Sequence, residues 1–393
     1  MKKAILFRMG GLGDILICTI VPRQLRKMGY DVVDACFGSP TADPVKILED
    51  THAFDHIHKY TRSFSGVDCY EAEDGDLVSI EVLKDDYDLV VDYKFSVELN
   101  SHYKHLASAP GKEWFVSQNS NYQNWADIML SWAGIDPASV PDDEKIPMYS
   151  LKAQELEWAL GVAGRNDGGD EKVVAIQTNA SSLVRTFYYP MRLPEAIKIA
   201  LPEQKFTFLL YDGANWLKMK DGKQFPVLFP DNVDRLRYSA ALLGACDLFV
   251  GADSGFSHLA EAIGVPSVTI YTTVPAWTRM KYYRHSYAVE PIGDVFNDVK
   301  CHPCFLLDRY CTRIKEEALA QRTPREIKLL DAVAQNRNPL EVAEEFGTTP
   351  QGIIMEADMA SKRIEALFER QSPCSLTVTP ERIAEKVREV FGA

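Results

Sequence analysis

The stretch 241–271, ALLGACDLFVGADSGFSHLAEAIGVPSVTIY, most constrains the fold, because it reads as a helix end, strand, tight turn, helix and strand in succession. Its apolar run 248–250 is typical of a strand covered on both faces. Ser254 can cap a helix over 256–263, which Gly264 ends and Pro266 cannot continue. The pattern predicts a βαβ unit and therefore an α/β fold with a parallel sheet.

The turn inside this stretch has two interpretations. A strand that feeds a helix N-terminus through a glycine-containing turn can bind an anion, because free backbone N–H groups and the helix dipole both favour negative charge. Asp253, Gly255 and His258 lie at the mouth of this turn. In the alternative, the unit is an ordinary βαβ connection in which Asp253 and Ser254 only cap the helix. This stretch alone leaves both open.

A second strand–turn–helix pattern opens the chain. Residues 4–7 predict a strand, Gly10, Gly11 and Gly13 predict a turn that approaches a ligand closely, and residues 15–28 predict one helix. The spacing is not G-x-G-x-x-G, so a nicotinamide cofactor is not expected. Asp14 follows the glycines at the helix start. It is either a first-turn carboxylate stabilised by the dipole or a general base aimed into a cleft.

After a polar linker at 164–170, the chain returns to alternating strands and helices. We expect the loops that follow three of these strands to lie close together at the carboxyl ends of the strands. Ligands of open parallel sheets bind at these ends. These loops are 178–186, 251–258 and 272–279. We expect Ser181, Ser182 and Arg185 to meet a diphosphate at the helix start near 254, since the arginine fork suits phosphate. The alternative for Arg185 is a surface salt bridge.

Composition narrows the classes of protein. A chain of 393 residues predicts two domains, and a net charge of −13 gives no general attraction to nucleic acid or anionic lipid, although a local basic patch stays open. No run approaches the length of a transmembrane helix. The N-terminus reads as a first strand rather than a signal peptide, and eight cysteines without secretory features indicate reduced thiols in the cytoplasm.

Two of these motifs, R-M-G-G-L-G-D-I from Arg8 and D-S-G-F-S-H-L-A-E-A-I-G-V-P from Asp253, together resemble the glycosyltransferase family 9 heptosyltransferases. The cysteine-rich tail and the T-P-E-R-I-A-E-K-V ending are similar to that family as well. The resemblance covers about 1–311 and 372–393. It implies the GT-B fold, in which two Rossmann-like domains enclose the active site between them.

The family resemblance also implies roles for residues. Asp14 falls on the catalytic base of an inverting transfer, and Asp253, Ser254, Gly255 and His258 fall on the donor contacts. Arg185 lies where the family usually has a lysine before a Trp-Pro pair, but the spacing here differs. The donor implied is a nucleotide-sugar, ADP-heptose most of all, with UDP- and GDP-sugars kept open. No divalent metal is expected for transfer, so cations and the helix dipole must stabilise the leaving diphosphate.

Four cysteines have the spacing C-x2-C-x6-C followed by one distant cysteine, and can close a structural four-thiolate site for zinc or iron. Some family members are similar in this respect. Four reduced, buried thiols are the alternative. The residues concerned are Cys301, Cys304, Cys311 and Cys374.

Between the third and fourth cysteines, three helices are predicted at 323–335, 338–346 and 349–370. The segment resembles the helix-turn-helix of LuxR-type and sigma-factor-like regulators, which places its last helix in the major groove. That helix carries four acidic and three basic residues, whereas a helix that binds in the major groove should be more basic. A module for packing or protein contact is the alternative.

The chain is therefore predicted to contain a Rossmann-like acceptor domain (1–165), a nucleotide-sugar domain (171–311), a three-helix insert (312–372) and a closing helix (373–393). The main hypothesis is an inverting glycosyltransferase acting on a glycan, a lipopolysaccharide core or a protein. Two alternatives are a DNA glycosyltransferase that modifies a hydroxyl-bearing base, and a non-catalytic, DNA-binding sensor of sugar nucleotides. An Asp14 carboxylate turned into a salt bridge inside its own domain would argue against an enzyme.

Overall fold

The computed structural model consists of two successive α/β halves and a group of three helices near the C-terminus. Each half is built around one largely parallel sheet, so the predicted α/β fold with two Rossmann-like halves is confirmed. The residues that the structure describes are 1–39, 43–48, 50–62, 68–72, 76–93, 124–165, 170–180, 185–187, 189–291, 323–335, 337–368 and 377–392.

The first half contains a six-stranded sheet in the order β5-β4-β3-β2-β1-β6. Strands β1, β2, β3 and β6 are parallel, and β4 and β5 extend the sheet in antiparallel fashion. The sequence did not indicate the β3–β5 extension, whose polar strands lack the apolar run that marks β1. The bounds are β1 (Lys3–Met9), β2 (Val32–Gly38), β3 (Ile57–Arg62), β4 (Asp68–Glu71), β5 (Leu77–Ser79) and β6 (Leu89–Tyr93).

The six α-helices described in this half are α1 (Leu12–Cys18), α2 (Ile20–Lys27), α3 (Pro44–Leu48), α4 (Ile80–Lys84), α5 (Trp125–Trp132) and α6 (Ala153–Ala163). The prediction of one helix over 15–28 is wrong, because α1 and α2 are separate and meet at Thr19. Pro22 has no N–H to donate to the Cys18 carbonyl, which interrupts the helical ladder. Thr19 Oγ1 accepts from the Met148 N–H at 2.8 Å and donates to the Leu16 carbonyl at 2.7 Å.

The second half contains a seven-stranded sheet in the order β10-β9-β8-β7-β11-β12-β13. Strand β11 lies between β7 and β12, and all of its residues are buried, as its apolar run predicts. The hairpin of β9 and β10 at the sheet edge was not predicted. The bounds are β7 (Lys172–Gln177), β8 (Phe206–Tyr211), β9 (Trp216–Lys220), β10 (Lys223–Pro226), β11 (Leu248–Ala252), β12 (Ser267–Ile270) and β13 (Ser286–Val289).

Four helices connect these strands: α7 (Leu193–Ala200), α8 (Arg235–Gly244), α9 (Gly255–Ala262) and α10 (Trp277–Met280). Short 3-10 turns lie at Pro137–Ser139, Asp142–Glu144 and Pro190–Arg192. Helix α9 ends where the sequence predicts, since Gly264 has a φ of +77°, a value that favours glycine.

Three helices follow: α11 (Pro324–Ala334), α12 (Pro339–Phe346) and α13 (Pro350–Phe368). Their ends lie within about two residues of the predicted ones. The Asn338 side chain caps α12 by accepting from the Leu340 N–H at 3.0 Å, and Gly347 ends it with a φ of +64°. The three helices share a small core of their own, made of Leu329, Ala332, Val342, Ala343, Ile353 and Ala357.

The outer surface of this three-helix group differs from that of a typical DNA-binding module. Helix α13 exposes Ile354, Met355 and Met359. Three basic side chains of the group are paired with acidic neighbours: Arg325 with Glu356 at 3.0 Å, Arg337 with Glu345 at 2.7 Å and Lys362 with Asp358 at 2.8 Å. DNA phosphates would compete with these ion pairs. No observation on the described part of the group favours DNA over packing or protein contact.

The last helix, α14 (Pro380–Val390), packs on α7 and completes one face of the second sheet. Its Ile383 and Val387 are buried in one cluster with Leu193 and Ile197. Among the described helices, none is both long enough and apolar enough to cross a lipid bilayer.

The two halves are joined by a continuous core and by a buried ion pair. Helix α6 lies within the range predicted for the first domain, yet it packs on α8 of the second half. Arg237 of α8 donates to both carboxylate oxygens of Glu155, at 2.6 and 2.9 Å, and to the carbonyl of Lys46 at 3.0 Å. The boundary between the predicted domains stays a prediction, but the structure shows which contacts cross it.

Candidate active site

The N-termini of α1 and α9, one from each half, meet in direct contact. A Cβ placed on Gly255 would lie 2.6 Å from Leu12 Cβ, and a Cβ placed on Gly13 would lie 2.6 Å from His258 Cδ2. Real Cβ atoms do not approach other atoms so closely, so glycine is required at both positions. We call this meeting point, formed by Leu12, Gly13, Gly255 and His258, the junction.

Both helices direct their positive ends at the junction. The first N–H groups of a helix have no acceptor within the helix, and the aligned peptide dipoles add a partial positive charge. Ser254 and Gly255 at the start of α9 are partly exposed. The junction therefore has the chemistry of an anion site, which is one of the two interpretations that the sequence leaves open for the α9 end.

The three glycines of the first turn differ in what they allow. Gly10 makes room for the Asp14 side chain, since a Cβ there would lie 2.5 Å from Asp14 Oδ2. Gly13 makes room for His258. Gly11 has open space around it, with only Asp14 Oδ2 at 3.7 Å from a Cβ. Two of the three thus permit protein atoms to approach, where the sequence predicted approach by a ligand.

Asp14 lies in the first turn of α1, one residue after the junction. Its carboxylate forms an ion pair with the buried Arg8 of β1 and accepts a hydrogen bond from the Gly11 N–H at 2.8 Å. Arg8 also donates to the Tyr93 carbonyl at 3.2 Å. This is the salt bridge inside its own half that we took to argue against an enzyme. It arises because a strand end and the first turn of the next helix are neighbours.

The same turn also keeps Asp14 beside the second half. Its carboxylate is one of the charges that act on the His258 ring across the junction. The Asp14 side chain is 21% exposed, so it is accessible as well as paired. Ion pairing and access to the junction are therefore compatible, and our criterion was too strict.

Arg185 contacts Asp253 of the β11–α9 turn. Its Nη1 donates to the Asp253 carbonyl at 3.1 Å and lies 3.4 Å from the Asp253 carboxylate, which is buried. The structure thus brings Arg185 to the α9 end, as predicted, but through a carboxylate. The pair is largely buried and is not the exposed surface salt bridge of the alternative.

Ser254 occupies the N-cap position of α9 without capping it through its side chain. Its hydroxyl donates to Gln177 Oε1 at 3.0 Å, at the end of β7. The prediction that the Ser254 side chain caps the helix is therefore wrong. The extended backbone of Ser254 turns its side chain toward the neighbouring strand, so its hydroxyl leaves the Gly255 and Phe256 N–H groups at the start of α9 uncapped.

His258 is buried, and its ring is held by two aromatic neighbours. Nδ1 lies 2.5 Å from the Tyr283 hydroxyl, and the ring is parallel to that of Trp125 at 6.1 Å. Burial lowers the pKa of His258 from its ordinary value of 6.5 to about 4, while Asp253 acts in the opposite direction. The imidazole is uncharged at neutral pH.

Several residues that link the two halves beside the junction were not predicted as individual site residues. The Arg279 guanidinium stacks on the Trp125 ring, 3.4 Å from its centre, and Asn124 donates to the Trp277 carbonyl at 2.8 Å. The signal was the aromatic content of 110–150 and of the loop 272–279. It could not separate packing from ligand contact. In the structure these aromatics join α5 of the first half to α10 of the second.

Some predicted site residues lie outside the described residues, namely Ser181, Ser182, Cys301, Cys304, Cys311 and Cys374. Their predicted roles in donor and metal binding stay predictions. Among the described residues, no group of three or more His, Cys, Asp or Glu side chains is arranged to hold a metal ion. The cysteines described, Cys18, Cys36, Cys69 and Cys246, are free and buried.

Comparison with known proteins gives the class of this chain. Residues 235–305, which include the β11–α9 turn, match the model of glycosyltransferase family 9 (heptosyltransferase). In this region the chain resembles glycosyltransferase family 9. No curated protein sequence matches it. The family resemblance seen in the motifs, and the glycosyltransferase class, are both confirmed.

Solved structures resemble this family 9-like glycosyltransferase at low identity. The family 9 glycosyl transferase of Veillonella parvula DSM 2008 has 16% identity and a TM-score of 0.50, covering 76% of this chain and 88% of that chain. The E. coli ADP-heptose lps heptosyltransferase II has 13% identity and a TM-score of 0.47, covering 74% and 91%. The iron-containing dodecameric TibC of enterotoxigenic E. coli H10407 has 12% identity and a TM-score of 0.42, covering 74% and 62%. The Veillonella match supports the predicted GT-B fold.

Proposed function

We propose that this chain transfers a sugar from a nucleotide-diphosphate sugar to an acceptor hydroxyl, with inversion at the anomeric carbon. The observation that carries the proposal is the junction, where two helix N-termini from different halves meet beside an accessible carboxylate. The family model names heptosyltransferases, and the family resemblance implies ADP-heptose. An ADP-heptose-like donor is therefore our first choice.

The diphosphate of the donor would bind at the start of α9. The N–H groups of Gly255 and Phe256 lack helical acceptors, and an anion at such an end is favoured by both hydrogen bonding and the dipole. Arg185 and the uncharged His258 add donors from two directions. Asp253 would hold Arg185 in place, since it contacts the guanidinium at 3.4 Å.

Asp14 would act as the general base. The acceptor hydroxyl oxygen attacks the anomeric carbon from the side opposite the diphosphate, its proton passes to the Asp14 carboxylate, and the bond between the anomeric carbon and the diphosphate oxygen breaks. Arg8 and the Gly11 N–H each bind one carboxylate oxygen. A carboxylate has about four lone-pair sites, so sites remain for the acceptor hydroxyl.

The leaving nucleoside diphosphate gains negative charge as that bond breaks. Fixed N–H donors aimed at the developing charge stabilise the transition state without having to reorganise. In this chain the donors would be the α9 backbone, Arg185 and His258. The acceptor is a hydroxyl on a glycan, a lipopolysaccharide core or a protein.

A ligand screen tests the donor. We expect one of ADP-, UDP- or GDP-sugars to raise the melting temperature, because binding at about 100 times Kd stabilises the native state by about 2.7 kcal/mol. Release of the nucleoside diphosphate, slow with water and faster with an acceptor glycan, should accompany it. The Asp14→Asn variant, which keeps the side-chain shape, is the matched control and should bind without release. If no sugar nucleotide binds and none is cleaved, the proposal is wrong.

A further inference from the structure

The His258 ring is held in place by a hydrogen bond and by two aromatic rings. Its Nδ1 is 2.5 Å from the Tyr283 hydroxyl, and the two rings are nearly perpendicular at 88°. On another side the ring lies parallel to Trp125, with 4° between the planes. These contacts leave the ring one orientation, with its Cδ2–Nε2 edge against Gly13 of the first half.

The hydrogen-bond network assigns the proton on this ring. A neutral imidazole carries one N–H and one acceptor nitrogen. Desolvation raises the pKa of Tyr283 well above its ordinary value, so the hydroxyl keeps its hydrogen. Among the described residues, Nδ1 is the acceptor within reach of that hydroxyl. If Nδ1 accepts, the ring hydrogen is on Nε2. The opposite tautomer would leave the phenol hydrogen without this acceptor.

The Nε2–H group then points to the junction. A Cβ on Gly13 would lie 3.3 Å from Nε2, so this nitrogen faces the start of α1, next to Asp14. In the second half, His258 lies in the first turn of α9, just after Asp253, which is paired with Arg185. An uncharged donor at this place can bind an anionic oxygen without first taking up a proton.

We propose that Tyr283 is a positioning residue whose hydroxyl holds His258 in the Nε2–H tautomer, so that Nε2–H donates to an oxygen of the nucleotide diphosphate. The hydrogen bond from Nε2–H to the diphosphate rests on the proposed function. Tyr283 acts through His258 and has no contact with the reacting atoms. The tautomer held by Tyr283 concerns the protein alone and can be measured without a ligand.

Nitrogen NMR on protein labelled with 15N at the histidine rings tests the tautomer. The long-range proton–nitrogen pattern distinguishes the two tautomers, and His258→Gln identifies the signal. We expect the Nε2–H pattern in the wild type and a loss or mixing of that pattern in Tyr283→Phe. Tyr287→Phe, the same change at an exposed tyrosine, should leave it intact. An Nδ1–H pattern in the wild type, or an unchanged pattern in Tyr283→Phe, would overturn the proposal.

Addition of ADP tests whether Nε2–H donates to the diphosphate. We expect the His258 nitrogen signals to move on binding, and Tyr283→Phe to bind ADP up to about tenfold more weakly, the size of one hydrogen bond. Equal ADP affinity with unmoved ring signals would place the diphosphate elsewhere. If ADP, UDP and GDP all fail to bind the wild type, the proposed function fails, while the tautomer measurement still decides the role of Tyr283. If Tyr283→Phe does not fold, the wild-type pattern decides alone.

Discussion

The turn after β1 and the turn after β11 have the same anatomy, yet their charged groups are placed differently. Each ends a buried parallel strand, begins a helix at the junction and holds a carboxylate paired with an arginine. The Asp14 side chain is 21% exposed and its arginine comes from the same half's strand end, whereas Asp253 is 3% exposed and its arginine comes from a separate loop. The accessible carboxylate can exchange a proton with a substrate, while the buried one can only hold its partner.

The two turns also differ in how they use small residues. The first turn needs Gly10 and Gly13 because Asp14 and His258 occupy the space that side chains would fill. At the start of α9 the second turn needs glycine at 255, and there Leu12 is the neighbour. Glycine at the junction therefore indicates contact between the two halves, and Asp14 and His258 lie on either side of that contact.

The largest expected effect separates the two carboxylates. Asp14→Asn should lower kcat by about 10²- to 10⁴-fold, because the acceptor hydroxyl loses its base. Donor Kd, measured by calorimetry, should change by less than about threefold, or 0.7 kcal/mol. Asp253→Asn should instead weaken donor binding and lower stability, because Arg185 loses its charged partner. A loss of donor affinity in Asp14→Asn with turnover unchanged would reverse the roles of the turns.

The next effect concerns His258 and pH. The pKa of His258 is about 4 in the native state against an ordinary 6.5. The unfolded chain therefore binds more protons within this window, and the free energy of unfolding should fall as the pH drops from 6.5 to 4. At about 1.4 kcal/mol per pKa unit, the loss approaches about 3 kcal/mol. The free energy of unfolding, measured with urea across this pH range, should depend less steeply on pH in His258→Gln than in the wild type. The control His285→Gln, at an exposed histidine, should keep the wild-type slope. Equal slopes in the wild type and His258→Gln would contradict the burial argument.

Glycine replacement in the first turn should give a smaller effect. Gly13→Ala forces a methyl group into His258 and should cost about 1 to 3 kcal/mol of stability, typical of overpacking. Gly11→Ala has room for its methyl group and should cost less than about 1 kcal/mol, the usual loss at an N-cap. Denaturant midpoints measure both. If the two variants are equally stable, the halves are not in contact at Gly13.

Arg185 decides whether the second turn binds phosphate or only packs. Arg185→Ala should raise donor Kd about tenfold, the loss of one charged hydrogen bond, and Arg185→Lys should fall between because lysine lacks the planar fork. Arg284→Ala removes an exposed arginine paired with Asp143 and should leave Kd unchanged. A fall in melting temperature without any change in donor Kd would make Arg185 a structural partner of Asp253.

The smallest expected effect tests the Ser254 hydroxyl. Ser254→Ala and Gln177→Met should show a coupling energy of about 1 kcal/mol in a double-mutant cycle, because they share one hydrogen bond. A hydroxyl that capped α9 would give no coupling with Gln177. Urea unfolding of the four proteins provides the measurement.

Much of the fold could be predicted from local signals. Strand β11 was predicted because a central parallel strand is apolar on both faces, and the end of α12 was predicted from Gly347. The strands β3 to β5 and the β9–β10 hairpin escaped prediction, since these strands towards the ends of the two sheets are polar and lack that apolar signal. The break at Thr19 escaped as well, because the apolar period continues through it and only Pro22 marks the interruption.

The sequence by itself determined the two strand–turn–helix units, the identity of Asp14, Asp253 and His258, and the family they resemble, because glycine, capping and apolar patterns act over a few neighbouring residues. Only the tertiary structure decided which groups meet: Asp14 with Arg8, Arg185 with Asp253, Ser254 with Gln177, and His258 with Tyr283, Trp125 and Gly13. These partners depend on side-chain direction and on how the two sheets pack. Neither quantity is encoded in the spacing of residues along one segment.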